Sequence, residues 1–289
     1  MWSDYDTLSE DQKRRRIQNY VAGMSLLGND FLPHSLSIKV RDDGHEILNR
    51  DLLQLETGGV SLLEDTGKGQ LQFNRNALLS LLTGWAAIEE NHILHSIRKK
   101  QQMRATTNRV DAEQVLNALP LDWDVEREII QWTKTDEGKS RISFRPGWDT
   151  HYREVWCKNV PLGALSAQYL YGLQWIYDYY SGQAPVPNTW MFPTLLPPLW
   201  KDLKTHLESS AGAVTPPVNQ ELQPQQQLAL VLPLSSWYLV RDKHLRQLPS
   251  LYPQYWPARF GLFSVGRRFL WECEPNLCFL PLSAVQKTN

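Results

Sequence analysis

Three short patterns in the chain hold residue types that bind metals or phosphates. Glu89 and His92 are three apart, with His95 one turn further on. An ExxH pair is half of a carboxylate-bridged two-metal site, and the second ExxH such a site needs is absent. These residues therefore read as polar groups on a solvated helix face. Gly67-Lys68-Gly69 lacks the spacing and the Lys-Ser/Thr ending of a phosphate loop, so it reads as a turn. The third pattern is Gly28-Asn29-Asp30-Phe31-Leu32-Pro33-His34. It follows an apolar helix end and cannot be helical throughout, because Pro33 restricts Leu32. A Gly-Asn turn there makes both the backbone and the carboxylate of Asp30 accessible. Asp30 then either ligates a hard cation such as Mg2+ or serves as a cap or turn residue.

These residues need elements to hold them. Ile17, Tyr20, Val21, Met24 and Leu27 recur at helical spacing, which predicts a helix over Asp11–Leu27 capped by Ser9 or Asp11. Lys13 to Arg16 is a basic run in its early turns, fit for a solvated face or for phosphate contact. Residues 42–75 carry Gly and Asp turn signals and predict loops and short helices. A long helix is predicted over Asn76–Met103, shorter ones over Asp111–Leu119 and Val125–Lys134, and a clear one over Leu165–Tyr180 ending at Gly182. Residues 185–198 contain five prolines, which exclude a long helix or a central strand. Ser209–Gln227 is a Ser/Ala/Pro/Gln linker composition. Near the end, Leu262–Val265 and Arg268–Glu272 read as a hairpin turned at Gly266-Arg267, with Leu277–Leu282 as a further strand.

The whole chain has 289 residues, with 30 Lys+Arg against 31 Asp+Glu, a net charge of −1. That balance excludes a uniformly basic nucleic-acid coat but leaves room for a local groove. With 42% hydrophobic residues the composition is globular rather than disordered. Twelve Trp and eleven Tyr provide a large core, stacking surfaces, or both. Cys157, Cys273 and Cys278 form no CxxC pair, which points to free thiols in a reducing compartment. No apolar run approaches the roughly 18–20 residues that span a bilayer, and Met1–Glu10 has neither signal nor transit character. An intracellular protein, cytoplasmic or nuclear and without membrane contact, is expected.

Leu26–His34, LLGNDFLPH, resembles the signature of the Xrn family of 5′-to-3′ exoribonucleases. Further segments are similar to that family in the same order: His151–Asn159, Tyr169–Pro185 (YLYGLQWIYDYYSGQAP), Thr189–Pro193 (TWMFP), Gln223–Pro233, and the closing YPQYWP and FLWECEPNLCFLPLSAV. They run from about residue 17 to about residue 285. The resemblance implies a mainly α fold, the multi-helix Xrn-type helical domain with a small C-terminal β element. It divides the chain into residues 1–50, a remnant of the catalytic nuclease region; 51–208, the helical domain; 209–227, a linker; and 228–289, the rest of the helical domain with short strands.

In that family the Asp of the signature is one of several metal-binding carboxylates, so the resemblance makes Asp30 the catalytic and metal-binding residue here. It implies two-metal phosphodiester hydrolysis with Mg2+ or Mn2+, single-stranded RNA as the bound substrate, and stacking of terminal bases on aromatics. Trp190 is the positional match for the stacking Trp. The chain departs from the family in three ways, one of them the Pro/Gln-rich Ser209–Gln227, which stands where the family has a usually more structured connection. The carboxylates before Asp30 are Asp4, Asp6, Glu10 and Asp11, none in a family motif, and the segment ARFGLFSVGRR is basic where the family is acidic. One Asp cannot hold two Mg2+ ions, so the chain is expected to need a separate N-terminal nuclease half, or to be a non-catalytic RNA-binding or scaffold module. On the first expectation, the face around Ile17–Leu36 exposes apolar area, with Phe31 and Leu32 partly exposed or covered only by the polar N-terminal extension.

Overall fold

The computed structural model describes residues 2, 4–106, 121–134, 136–138, 140–157, 160–209, 221–267 and 269–286. Its α-helices are α1 (Glu10–Met24), α2 (Gly44–Thr57), α3 (Arg75–Thr106), α4 (Val125–Ile129), α5 (Trp148–Cys157), α6 (Leu162–Ser181), α7 (Trp200–Ser209), α8 (Pro224–Val231), α9 (Leu248–Leu251) and α10 (Leu282–Gln286). Short strands are β1 (Leu63–Asp65), β2 (Leu71–Phe73), β3 (Leu121–Asp124), β4 (Ile130–Lys134), β5 (Ser140–Phe144), β6 (Phe260–Phe263) and β7 (Glu274–Pro275). The fold is mainly α with small β elements, as the sequence implied. The chain forms two units that interleave in sequence: Met1–Lys99, Asp149–Val186 and Met191–Pro216, and Lys100–Trp148, Pro187–Trp190 and Pro217–Asn289.

In the first unit, Ser9 caps α1 in a full capping box with Gln12, which satisfies two of the helix's orphan donors. The helix stops at Met24, and Ser25–Leu27 continues it as a 3-10 turn. Its packing departs from the predicted apolar face at Ile17 and Val21, while Leu27 is buried as that face requires. Ile17 and Val21 are 43% and 41% exposed, while Arg16 and Asn19 are buried. The reason is specific pairing. Arg16 is held by Asp4 at 2.7 Å and Glu56 at 2.9 Å, and Asn19 accepts from Ser61 and from the Leu63 N–H. A buried guanidinium is tolerated when carboxylates meet it bidentately. The residues 42–75 stretch holds more order than expected, a full helix α2 and the antiparallel hairpin β1–β2.

The proline-rich stretch is an ordered loop on its Pro193–Trp200 side. Pro197 and Pro198 are buried, and the Pro197 carbonyl accepts the Tyr152 hydroxyl at 2.6 Å. Trp200, at the start of α7, packs edge-on against Trp85 of α3 at 5.2 Å and donates its indole N–H to Ser37. Each buried indole removes a large apolar surface from water.

The second unit contains two departures from the sequence reading. Val125–Lys134 is not one helix: α4 gives way to β4, because Ile130, Trp132 and Thr133 are β-formers that pair with β5. The hairpin predicted around Gly266 is absent as well. β6 instead pairs in parallel with β3 and antiparallel with β7, and Leu270–Glu272 is a 3-10 turn. Ala229, Val240, Leu245, Leu248, Leu280 and Val285 form this unit's own apolar cluster. The predicted helix Asp111–Leu119 and most of the predicted linker lie outside the described residues. No helix among the described residues is long and apolar enough to cross a membrane.

Candidate nucleic-acid interface

The Gly28–His34 segment is a tightly closed loop. Gly28 sits at φ +96°, and a Cβ there would lie 2.4 Å from the Cα of His34. Only glycine meets both the left-handed backbone and that close approach. Asn29 then closes the turn. Its N–H donates to the Leu32 carbonyl at 3.0 Å, and its Oδ1 accepts the N–H groups of Phe31 at 2.9 Å and Leu32 at 3.0 Å. This Asx turn fixes residues 29–32 with Asp30 at the tip. Leu32 is buried at 1% exposure and anchors the loop; Phe31 is half-buried. Leu32 therefore departs from the exposure expected of it.

Asp30 itself is exposed and makes no hydrogen bond or ion pair among the described residues. A carboxylate in this state is not serving as a cap. Among the described residues, no three His, Cys, Asp or Glu side chains converge as a metal site would require.

Beside Asp30 lies an aromatic cluster that sequence reasoning did not single out. Phe31 meets Trp175, Tyr179 and Tyr180 of α6 at ring distances of 5.0, 5.1 and 6.4 Å. Trp175 and Tyr179, one helical turn apart, are stacked at 5.4 Å with only 5° between their planes. Trp175 is buried, whereas Tyr179 and Tyr180 are 50% and 57% exposed. Helical spacing places Tyr180 on the apolar period of α6 with Tyr169 and Ile176, so the sequence carried no signal that both rings of the YY pair are open.

The end of α6 is fixed from below. Gly182 takes the left-handed cap at φ +67°, and the Gln183 amide donates to Asp178 and to the Leu71 carbonyl of β2, both at 2.6 Å.

Trp190 is placed differently from the sequence expectation. A stacking indole needs an open ring face, and Trp190 is only 8% exposed, with its backbone N–H donating to the Pro187 carbonyl at 3.4 Å. In this structure it is a buried anchor.

Glu89, read as part of a solvated face, is buried at 4% exposure. It accepts the Trp200 N–H at 2.9 Å, capping the start of α7 from another helix. Burial pushes its carboxyl up to about 8, against the opposing pull of the Trp200 and Lys201 N–H groups. This removes Glu89 from any half-site with His92. Cys157 is excluded as a nucleophile for a similar reason, since burial pushes its thiol up to about 12.

Comparison with family models and with curated proteins finds no match to this chain.

Proposed function

We infer that the chain is the helical-domain part of an Xrn-type 5′-to-3′ exoribonuclease, binding single-stranded RNA and contributing Asp30 to a metal-dependent phosphodiesterase centre. The observation that carries this reading is the closed Gly28–Leu32 turn, which presents at its tip an exposed carboxylate with no partner among the described residues. A side chain kept so, next to open aromatic rings, has a use at a metal-and-nucleotide site and none in packing. Free cysteines agree with a cytoplasmic or nuclear setting.

Asp30 alone does not fit a pair of Mg2+ or Mn2+ ions. Two ions roughly 3.5–4 Å apart need several carboxylates between them. The reading therefore assigns the remaining ligands to a separate, carboxylate-rich N-terminal nuclease half, without which these residues do not hydrolyse a phosphodiester. The same donor set favours a second reading, a non-catalytic single-stranded RNA-binding module that keeps the nuclease shape.

Calorimetric titration with Mn2+ tests the role of Asp30. The expected result is weak, millimolar binding that disappears in Asp30→Ala, with thermal stability changed by no more than about 0.5 kcal/mol, as for an exposed residue without partners. Equal Mn2+ binding by both proteins would remove Asp30 from the proposal. Micromolar binding that depends on Asp30 would show a complete site within the chain.

A further inference from the structure

We propose that the Tyr179–Tyr180 ledge, with the Asp30 carboxylate beside it, is a docking surface for an arginine-bearing segment of a protein partner. This docking role goes beyond the nuclease reading above and stands without it. Charge, stacking geometry and the packing of the rings among themselves point to that occupant.

Charge sets the sign of the guest. Asp30 is exposed and, among the described residues, makes no hydrogen bond or ion pair. It precedes Phe31, the ring that braces both tyrosines at 5.1 and 6.4 Å. The tyrosine faces are themselves electronegative, because an aromatic ring carries its negative charge above and below its plane. Carboxylate and rings therefore attract the same kind of guest, a cation, and both oppose a phosphate.

Stacking geometry selects among cations. Trp175 and Tyr179 lie 5.4 Å apart with 5° between their planes, and Tyr179 is the open, outer layer. The group that continues such a stack is flat. A guanidinium is flat, is more weakly hydrated than an ammonium, and keeps its in-plane N–H groups free for a carboxylate while its face lies on a ring. A lysine ammonium is a compact, strongly hydrated point charge and adds no layer. Trp175, the inner ring, is buried in place, so the platform loses little freedom when its outer face is covered.

The packing of the rings excludes a caged ammonium. Phe31 meets both tyrosines edge to face, and Tyr179 meets Tyr180 in the same way at 5.3 Å and 76°. Rings in mutual contact leave no gap for a methylated ammonium, so the guest lies on the outside of the cluster. One stacked guanidinium is a small contact, and the segment that carries it supplies the rest of the affinity. A guanidinium paired with Asp30 excludes a metal ion there, so the docked chain is the metal-free one.

The test titrates the full chain, free of divalent metal, with the peptide (Arg-Gly)4 and with its equally charged counterpart (Lys-Gly)4, following the ring signals of 13C-labelled tyrosine by NMR. The arginine peptide should bind about two- to fivefold more tightly than the lysine peptide and shift the Tyr179 and Tyr180 signals. Tyr179→Ala and Asp30→Asn should each weaken it about two- to fivefold, and Tyr179→Phe should keep the wild-type affinity. Asp30→Asn changes an exposed side chain without partners, so it leaves the fold intact and decides the matter where Tyr179→Ala does not fold.

Equal binding of the two peptides, or wild-type affinity in both Tyr179→Ala and Asp30→Asn with circular dichroism unchanged, would overturn the docking site. Either result leaves RNA and metal binding by the chain in place, because the titration contains neither. An oligoribonucleotide that shifts the Tyr179 signals where the arginine peptide does not would also overturn it, and would give the ledge to nucleic acid.

Discussion

Glu89→Gln is expected to stabilise the protein above pH 8 and to leave it nearly unchanged near pH 4.5. In the unfolded chain this carboxyl titrates at its ordinary 4.5; in the fold, burial moves it to about 8. Below pH 4.5 it is neutral in both states and burial of the charge costs nothing. Between the two values the unfolded chain gives up the proton and the folded one keeps it, so stability falls as pH rises. Above 8 the fold carries a buried anion, and the loss levels off. At about 1.4 kcal/mol per unit the full effect is on the order of 4–5 kcal/mol, a large part of a typical folding free energy. Glutamine keeps an acceptor oxygen for the Trp200 N–H but does not titrate.

His92 and His206 are shifted down by burial and act in the opposite direction, favouring the fold as pH rises. The quantity to measure is therefore the difference between the two proteins in chemical unfolding at each pH. A difference that grows from pH 5 to pH 8.5 in favour of the variant supports this placement of Glu89. A constant difference would mean the carboxyl is solvated.

Trp190→Ala is expected to cost about 3–5 kcal/mol of stability, the usual price of truncating a core indole. It should not change the intrinsic affinity of the folded protein for RNA. The residue resembles a stacking Trp in its sequence position, but its surface is more than nine-tenths covered. Thermal unfolding and RNA anisotropy on the same variant separate the two roles. A stable variant with RNA affinity reduced tenfold or more would restore the stacking assignment and require the loop to open on binding.

Helices were largely legible where apolar spacing and end signals agreed. α6 extends three residues before the predicted start and ends beside the predicted Gly182, and α3 covers the predicted span and slightly more. The predicted face of α1 was not legible. Periodicity places Ile17 and Val21 inward, but the partners that draw Arg16 and Asn19 in are Asp4, Glu56, Ser61 and Leu63, most of them distant in sequence. Glu89 was misread for the same reason: its partner is a backbone N–H 111 residues away. β4 was missed because a five-residue helix precedes it without a breaker, and the strand exists through its pairing with β5. The exposed place of Asp30 on a turn was legible from Gly28-Asn29. The Tyr179–Tyr180 ledge was not, since it depends on Phe31 folding against α6.

The central claim is that this chain binds single-stranded RNA. Fluorescence anisotropy with a labelled oligoribonucleotide, alone and annealed to its complement, tests it most directly. Stacking needs unpaired bases, so the account predicts saturable binding of the single strand and at least about tenfold weaker binding of the duplex at the same ionic strength. Equal affinity for both forms, or no saturable binding of the single strand, would contradict it.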